Sequence, residues 1–369
     1  MTGLDATSFR ALFPALTEQV WLDTPGSPPA AIPVVDALSS ALQSWSAGDF
    51  SWLDWDQVPQ EARRLFAQYV DVEPDQVTNL GSVAEAAAIV AASLPPGRIV
   101  VPDDEFRSNL LPWLRRDDHE VVRVPSRDGV ANTEDLVAAC TPGTVLLAAS
   151  EVLSSTGIRA DVPALRAATD AVGARLFVDA TQAMGVLDPT ETLRADYVAV
   201  HGYKWMLCPR GAAWMVTRKD LVADLHPIAP SWRSGPPPHS YFGGVAPRDR
   251  TGAAADSSPA WFSWIGAVAA LELLNRTDAR TTESHSVGLA QDFVLGARDI
   301  GLKVVSPGRP SHIAAVHITD RDRVSSALLD ARVKATVSSD RVRVGFHYFN
   351  TPADVERVLT ALRHAGAAE

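Results

Sequence analysis

The 369-residue chain is 46% hydrophobic and 21% charged, as expected of a soluble globular protein with room for one large α/β unit and a smaller lobe. Its net charge of −11 argues against nucleic acid or an anionic membrane as the main partner, since both require a basic face, and no apolar run reaches the length of a membrane span. Two cysteines, Cys140 and Cys208, make no disulfide framework, and MTGLDATSFRALFPAL lacks the charged-then-apolar pattern of a signal peptide, so a reducing, cytoplasmic setting is expected.

In chain order, Ala30 to Trp45 has helical spacing and follows the proline-rich turn TPGSPP. GSVAEAAAIVAASL reads as a Gly-Ser turn opening an alanine-rich helix, with Glu85 in its early turn. The pattern then alternates: IVVPDD (strand), SNLLPWLRR (helix), EVVRVP (strand), NTEDLVAAC (helix), TVLLAAS (strand), VPALRAATDAVG (helix) and RLFVDA (strand). DYVAVHG and AAWMV add two further strands. Near-continuous apolar strands separated by helices predict a mostly parallel sheet covered on both faces. His226 to Pro259 is rich in Pro, Gly and Ser but holds Trp232, Tyr241 and Phe242, which predicts an ordered loop on the substrate side. SPAWFSWIGAVAALELLNR is a strong helix, and the last ~95 residues read as a second, smaller α/β lobe. No repeat of solenoid period occurs.

Three stretches carry chemistry. In ADYVAVHGYKWMLCPRGAAWMV an apolar strand ends in His-Gly-Tyr-Lys-Trp, and a Pro-Arg-Gly turn leads to the next strand. A lysine just past a strand is ordinarily a surface group with its ammonium in water. Held in an apolar pocket, its amine loses proton affinity and can form a Schiff base with an aldehyde. Upstream, RLFVDATQAMG sets Asp179 at the C-terminal end of an apolar strand, where open α/β sheets bind ligands. That carboxylate either caps the following turn through Thr181 or Gln182 or pairs with a protonated ring nitrogen. In NLGSVAEAAAIV, Gly81 and Ser82 open a helix whose N–H groups and dipole suit a phosphate, although alone this is a plain N-cap. A phosphate cradle, a ring-nitrogen partner and an imine lysine in this order have no shared explanation in packing alone.

With these motifs the chain resembles fold-type I pyridoxal-phosphate (PLP) enzymes of the class V aminotransferase group, which includes cysteine desulfurases, kynureninases and isopenicillin N epimerase-like proteins. The similarity runs from about WLDTPGSPP to the C-terminus, and VDATQA and HGYKW are its most specific parts. It implies an α/β fold-type I PLP-transferase. The large domain, residues 17–275, would hold the mostly parallel central sheet; residues 276–369, with 1–16, would form the smaller α/β C-terminal domain. By the same resemblance Lys204 forms the imine with pyridoxal 5'-phosphate, Asp179 binds the pyridine nitrogen, Gln182 hydrogen-bonds the ring hydroxyl and Thr181 lies against the ring face. Ser82 with the Val83 amide, Tyr203 and His201 would hold the phosphate. Phe106, in DDEFRSNLLPW, matches the position that stacks on the ring; desulfurases carry histidine there, and the residue reads equally well as core. Ser154, in SEVLSSTG, falls where the family has a polar residue near the cofactor hydroxyl or the substrate carboxylate. Ser258, the second serine of SSPAW, matches a hydroxyl that reaches the neighbouring subunit's phosphate, so a homodimer with shared active sites is implied. Arg343, in RVRVGFHYFNT, matches the arginine that clamps a substrate α-carboxylate, and Arg341 is the fallback on the same strand face. No metal is implied.

The implied substrate is a small amino-acid-like molecule. Once displaced from the cofactor, Lys204 is free to act as base at Cα. The expected reaction is a β-lyase: C–S cleavage of an S-substituted cysteine or kynureninase-like C–C cleavage. Trp52, Trp55, Trp232, Tyr241 and Trp261 lean toward a roomy site for a bulky substrate, although core and dimer interface account for most of them. Aminotransferase, epimerase and decarboxylating oxidative deaminase activities are alternatives on the same cofactor. Persulfide-forming desulfuration needs a cysteine on a loop shortly before the carboxylate arginine, and no cysteine follows Cys208, which is read as a small buried apolar residue. From a different class, a catalytically silent PLP-fold binding protein is opposed by the full set of cofactor residues. A nicotinamide oxidoreductase is opposed by the lack of GxGxxG after the first strand.

Overall fold

Seven short apolar runs pair into one sheet in the computed structural model, which describes residues 3–126, 132–237, 239, 241–244, 247–305 and 308–366. In chain order the strands are β1 (Val77–Leu80), β2 (Gly97–Pro102), β3 (His119–Val124), β4 (Thr144–Ser150), β5 (Arg175–Asp179), β6 (Tyr197–His201) and β7 (Ala213–Thr217). Their spatial order is β1-β7-β6-β5-β4-β2-β3. Strands β2 to β6 run parallel, and β7 is antiparallel to both of its neighbours. Strands β4 to β7 are buried over almost their whole length, because helices cover both faces, and this is why they read as unbroken apolar runs.

The helices follow from local signals. Asp161 caps Val162–Val172 by accepting from Ala164 N (3.0 Å), and Gly173 ends it in the left-handed conformation. Trp261–Leu274 packs on Ile32–Ala47 and Val58–Val70 and has no polar face, as befits a helix buried on most sides. SNLLPWLRR departs from expectation: it forms a 3-10 turn at Arg107–Asn109 and a single α-turn at Leu111–Leu114. Pro112 starts a new turn there and cannot continue the old one, while buried Trp113 donates Nε1–H back to Asn109 O (2.7 Å).

A second core surrounds a three-stranded antiparallel sheet made of Ile313–His317, Arg341–Gly345 and Thr336–Val337. Phe293, Val324, Val342, Val344, Phe346 and Val358 fill it from the sheet and three helices, Ala279–Asp299, Arg321–Asp330 and Pro352–His364. Val20–Trp21 pairs in parallel with Val333–Lys334, so Val20 and Leu22 join this second core. Phe9 and Phe13 pack on Phe349, and Arg10 pairs with Asp354 (2.9 Å). Among the described residues no helix is long and apolar enough to cross a membrane.

Candidate active site

The C-terminal ends of β4, β5 and β6 place Ser150, Asp179 and His201 side by side, with Ser150 and Asp179 in register. This is the edge of a parallel sheet where polar groups converge on a crevice. Asp179 accepts from Thr181 N (2.8 Å), and burial pushes its carboxyl above the usual range. Next to it lies a second buried acid, Glu105, which no sequence motif singles out. Glu105 accepts from Ser150 Oγ (2.6 Å), Ser150 N (2.6 Å) and Phe106 N (2.7 Å). Burial and then the charge of Asp179 push its pKa up to about 7. Its only sequence signal is the one that marks Asp179: an acid shortly beyond an apolar strand.

Lys204 sits in the link between β6 and β7, and backbone bonds fix that link closely. Gly202 N donates to Ala212 O (2.9 Å), Cys208 N to Gly202 O (3.0 Å) and Leu207 N to Lys204 O (3.0 Å). Leu207 has φ 61°, a left-handed backbone that a branched residue adopts only when its surroundings impose it. The Lys204 side chain is 5% exposed, and its pKa is lowered to about 8. Burial is the main cause; the charges of Arg343 and Arg210 act in the same direction, while Asp179 and Asp23 oppose it. The ammonium lies 5.4 Å from the Phe106 ring centre and 5.7 Å from that of Tyr203.

Phe106, Ser154, Asp179, Thr181, Gln182, His201, Tyr203 and Lys204 line one pocket, together with Ser108 and Ser150. The fold thus gathers eight of the sequence-predicted residues. Gln182 donates from Nε2 to Ser154 Oγ (2.8 Å) and Pro25 O (3.0 Å), and accepts from Trp205 Nε1 (2.6 Å). Thr181 Oγ accepts from His201 N (3.1 Å). Val83 N donates to His201 Nε2 (3.3 Å), which leaves the hydrogen of a neutral imidazole on Nδ1. That nitrogen is buried and has no partner among the described residues. Burial, followed by Lys204 and Arg210, lowers the pKa of His201 to about 4, so the ring stays neutral at physiological pH.

Ser82 caps the helix Val83–Ser93, accepting from Glu85 N (3.2 Å), and stands beside His201 through Val83. The Glu85 carboxylate folds back to accept from Gly81 N (3.1 Å) and Ser257 Oγ (2.6 Å). Arg343 reaches the pocket through Ser154, donating from Nη1 to its carbonyl (2.5 Å). Its Nη2 donates to Thr336 Oγ (2.9 Å) and approaches Asp23 Oδ1 (3.5 Å), while Nε is buried without a partner among the described residues. Two predicted residues lie apart: Arg341 faces outward and pairs with Asp340, and Ser258 is exposed outside the pocket. Of the loop from His226 to Pro259, residues 238, 240, 245 and 246 fall outside the described residues. Within one chain, Trp52, Trp55, Trp232, Tyr241 and Trp261 do not line the Lys204 pocket.

A buried amine of low proton affinity, a buried acid facing it and an unsatisfied N–H donor beside a helix N-terminus form a donor set that fits an aldehyde, a ring nitrogen and a phosphate. The sequence pattern of the Aminotransferase class-V family matches residues 20–358, a span that contains every residue of the pocket. The chain belongs to that family. It is a PLP-dependent enzyme of the fold-type I α/β class, and pyridoxal 5'-phosphate is its cofactor. A relative named "Uncharacterized aminotransferase YcbU", from Bacillus subtilis strain 168, is 28% identical over 362 residues, covering 95% of each chain. The crystal structure of the cysteine desulfurase CsdA from Escherichia coli superposes with a TM-score of 0.83 at 22% identity, covering 98% of each chain. The cystine C–S lyase C-DES superposes with a TM-score of 0.83 at 20% identity, covering 95% of this chain and 99% of that one; another of its structures has glycine covalently linked to the PLP cofactor.

Proposed function

We propose that this class V enzyme is a β-lyase that breaks a bond at Cβ of an amino-acid substrate, with C–S cleavage favoured over kynureninase-like C–C cleavage. The observation that carries the reading is the contrast between the one poised amine and the two inert thiols. Cys208 is buried and its thiol is pushed far up by burial, and Cys140 is shifted in the same direction by the same cause. Where a desulfurase-type nucleophile loop would precede Arg343, this chain makes a tight turn over Ser338–Asp340. Sulfur therefore leaves with the product and is not passed to the protein. The structural likeness to a cystine C–S lyase supports the same reading.

PLP, when bound, withdraws electrons from the bonds at the substrate Cα. Lys204 would hold the cofactor aldehyde and supply the base for the Cα proton, and burial of its side chain lowers the amine's proton affinity, to a pKa of about 8 in the cofactor-free chain. Asp179 would pair with the pyridine nitrogen and keep it protonated. Gln182 and Ser154 would hydrogen-bond the ring hydroxyl, and Thr181 and Phe106 would pack against the ring. Ser82, the Val83 amide, His201 and Tyr203 would hold the phosphate, the unpartnered His201 Nδ1–H being a donor suited to that role. Arg343 binds the substrate α-carboxylate. In a cytoplasmic homodimer, Ser258 would reach the phosphate of the second subunit's cofactor.

The test is release of pyruvate and ammonia from S-substituted cysteines by the PLP-loaded protein with no keto acid added. Turnover that Lys204→Ala abolishes is the expected result. A reaction that proceeds only with a keto-acid acceptor would replace the lyase with amino transfer, the second reading, which the name of the Bacillus relative favours.

A further inference from the structure

Glu85 puts an acid at the phosphate end of the site, where no role given to the pocket accounts for it. It stands third in the helix Val83–Ser93, and the N-cap residue Ser82 accepts from Glu85 N through Oγ (3.2 Å). In a reciprocal cap the glutamate carboxylate would return to the N-cap amide. Here it passes that amide and accepts from Gly81 N (3.1 Å), one residue earlier, and from Ser257 Oγ (2.6 Å), 172 residues further along the chain. Its other oxygen lies 3.4 Å from Ser82 Oγ. A Cβ at Gly81 would lie 3.0 Å from Glu85 Oε1, so the bare backbone there leaves room for the carboxylate against the turn.

The loop that carries Ser257 is itself anchored, and this holds the carboxylate in place. Ser257 N donates to Asn79 O (3.0 Å), Asn79 N donates to the Asp256 carboxylate (2.9 Å), and Asp256 pairs with buried Arg63. Asn79 lies in β1, which runs directly into Gly81 and Ser82, so strand, helix start and loop are bonded into one unit. The groups that hold the carboxylate, Gly81 N and the hydroxyls of Ser82 and Ser257, are all neutral and leave its charge uncancelled. A helix N-terminus draws anions with roughly half a unit of positive charge. One carboxylate placed on it outweighs that attraction for a second anion, and its half-buried setting screens it less than open water would.

We propose that Glu85 sets how tightly the cofactor is held. Its carboxylate stands beside the phosphate donors Ser82 and Val83, repels the phosphate and keeps the cofactor exchangeable with the pool in solution. The inference rests on the position given above to the phosphate and not on the lyase reading.

The experiment measures Kd for PLP and for pyridoxal, which lacks the phosphate, by cofactor absorbance on the full-length protein stripped of cofactor. The ratio of the pyridoxal Kd to the PLP Kd isolates the phosphate from general effects on folding. Glu85→Gln keeps an oxygen for Gly81 and Ser257 and removes the charge; it should raise the ratio roughly three- to tenfold and slow PLP release on dilution. Glu85→Ala should raise the ratio in the same direction. The gap between wild type and Glu85→Gln should narrow as NaCl rises from about 0.05 to 0.5 M, because salt screens the repulsion. Tyr203→Phe removes a phosphate donor and should lower the ratio. A ratio unchanged or lowered in both Glu85 variants, or a gap indifferent to salt, while Tyr203→Phe lowers it, would overturn the inference and keep the phosphate position. A ratio that none of the three variants moves would remove the phosphate position, and the inference with it.

Discussion

Of the four lysines in the chain, Lys219, Lys303 and Lys334 are exposed and Lys204 is buried. Burial sets its chemistry, because desolvation outweighs the opposing charge of Asp179 and brings the pKa to about 8. Borohydride reduction in the presence of PLP should therefore place a single adduct on Lys204, and peptide mass spectrometry of Lys204→Ala should show none; an adduct moved to another lysine would sink the assignment. In the cofactor-free protein, reductive methylation of Lys204 should reach half its maximal rate near pH 8, well below the ordinary lysine range near 10.4. Glu105 gives a second pH signature. Its folded pKa of about 7 is above the ordinary 4.5, so the protonated form is favoured by folding. The unfolded chain gives up that proton first as pH rises, so the contribution is full below 4.5 and is lost as pH passes 7. The loss amounts to about 3 kcal/mol at most. Denaturant titrations of the cofactor-free protein between pH 5 and 8 should show this decline, and Glu105→Gln should flatten it; an unchanged slope would mean that Glu105 is ionised throughout.

Strand Arg341–Gly345 acts on the site through its end as well as through Arg343. Gly345 N donates to Leu22 O (2.8 Å), and a Cβ at this position would lie 2.6 Å from Pro25 Cδ and 2.8 Å from Trp205 Cη2. Pro25 O and Trp205 Nε1 are two of the three groups that fix the Gln182 amide, Ser154 Oγ being the third. Gly345→Ala should therefore cost about 1–3 kcal/mol in urea unfolding and weaken PLP retention together; a mutant with the wild-type midpoint would show that the turn at Pro25 gives way freely. This strand also shows where sequence reasoning reaches its limit. Ser82 is legible because a cap is read within four residues, and β4 to β6 because burial on both faces leaves an apolar run that ends on Ser150, Asp179 or His201. The contact of Arg343 with Asp23 joins segments that nothing local connects. Spacing alone puts Arg341 and Arg343 on one face, and only the fold shows Arg343 turned toward Ser154 and Arg341 toward Asp340. Glu105 is hidden in the sequence because a buried acid and a surface acid have the same letter, and Pro112 cuts short a helix that the apolar pattern suggests.

The surface of the whole molecule carries an aromatic array that a single chain leaves open. Trp45 is 53% exposed and Trp52 46% exposed. Trp45 touches Phe262, Phe262 touches Trp55, Trp55 stacks on Phe50 (4.6 Å), and Trp52 meets Tyr241 edge-on. Asp56 ties the array to the later loop: Trp261 Nε1 and Tyr241 OH donate to its carboxylate (2.8 and 3.3 Å), and buried Arg233 donates to its carbonyl (2.8 Å). Ordering so much aromatic surface by specific bonds and then leaving it in water is unfavourable, which points to a second protein surface over it. The pocket's rim residue Phe106 is 49% exposed, so this side of the site is also open in a single chain. A second copy would cover the array and bring exposed Ser258 to the facing pocket. Trp52→Glu should then shift the protein to monomer in sedimentation velocity and lower PLP affinity at least roughly tenfold, because burying an unpaired carboxylate in an apolar interface costs several kcal/mol. Ser258→Ala should weaken PLP binding while the mass stays that of a dimer. The two variants separate assembly from phosphate contact, and a dilute monomer that retains PLP with wild-type affinity would show each chain to be complete by itself.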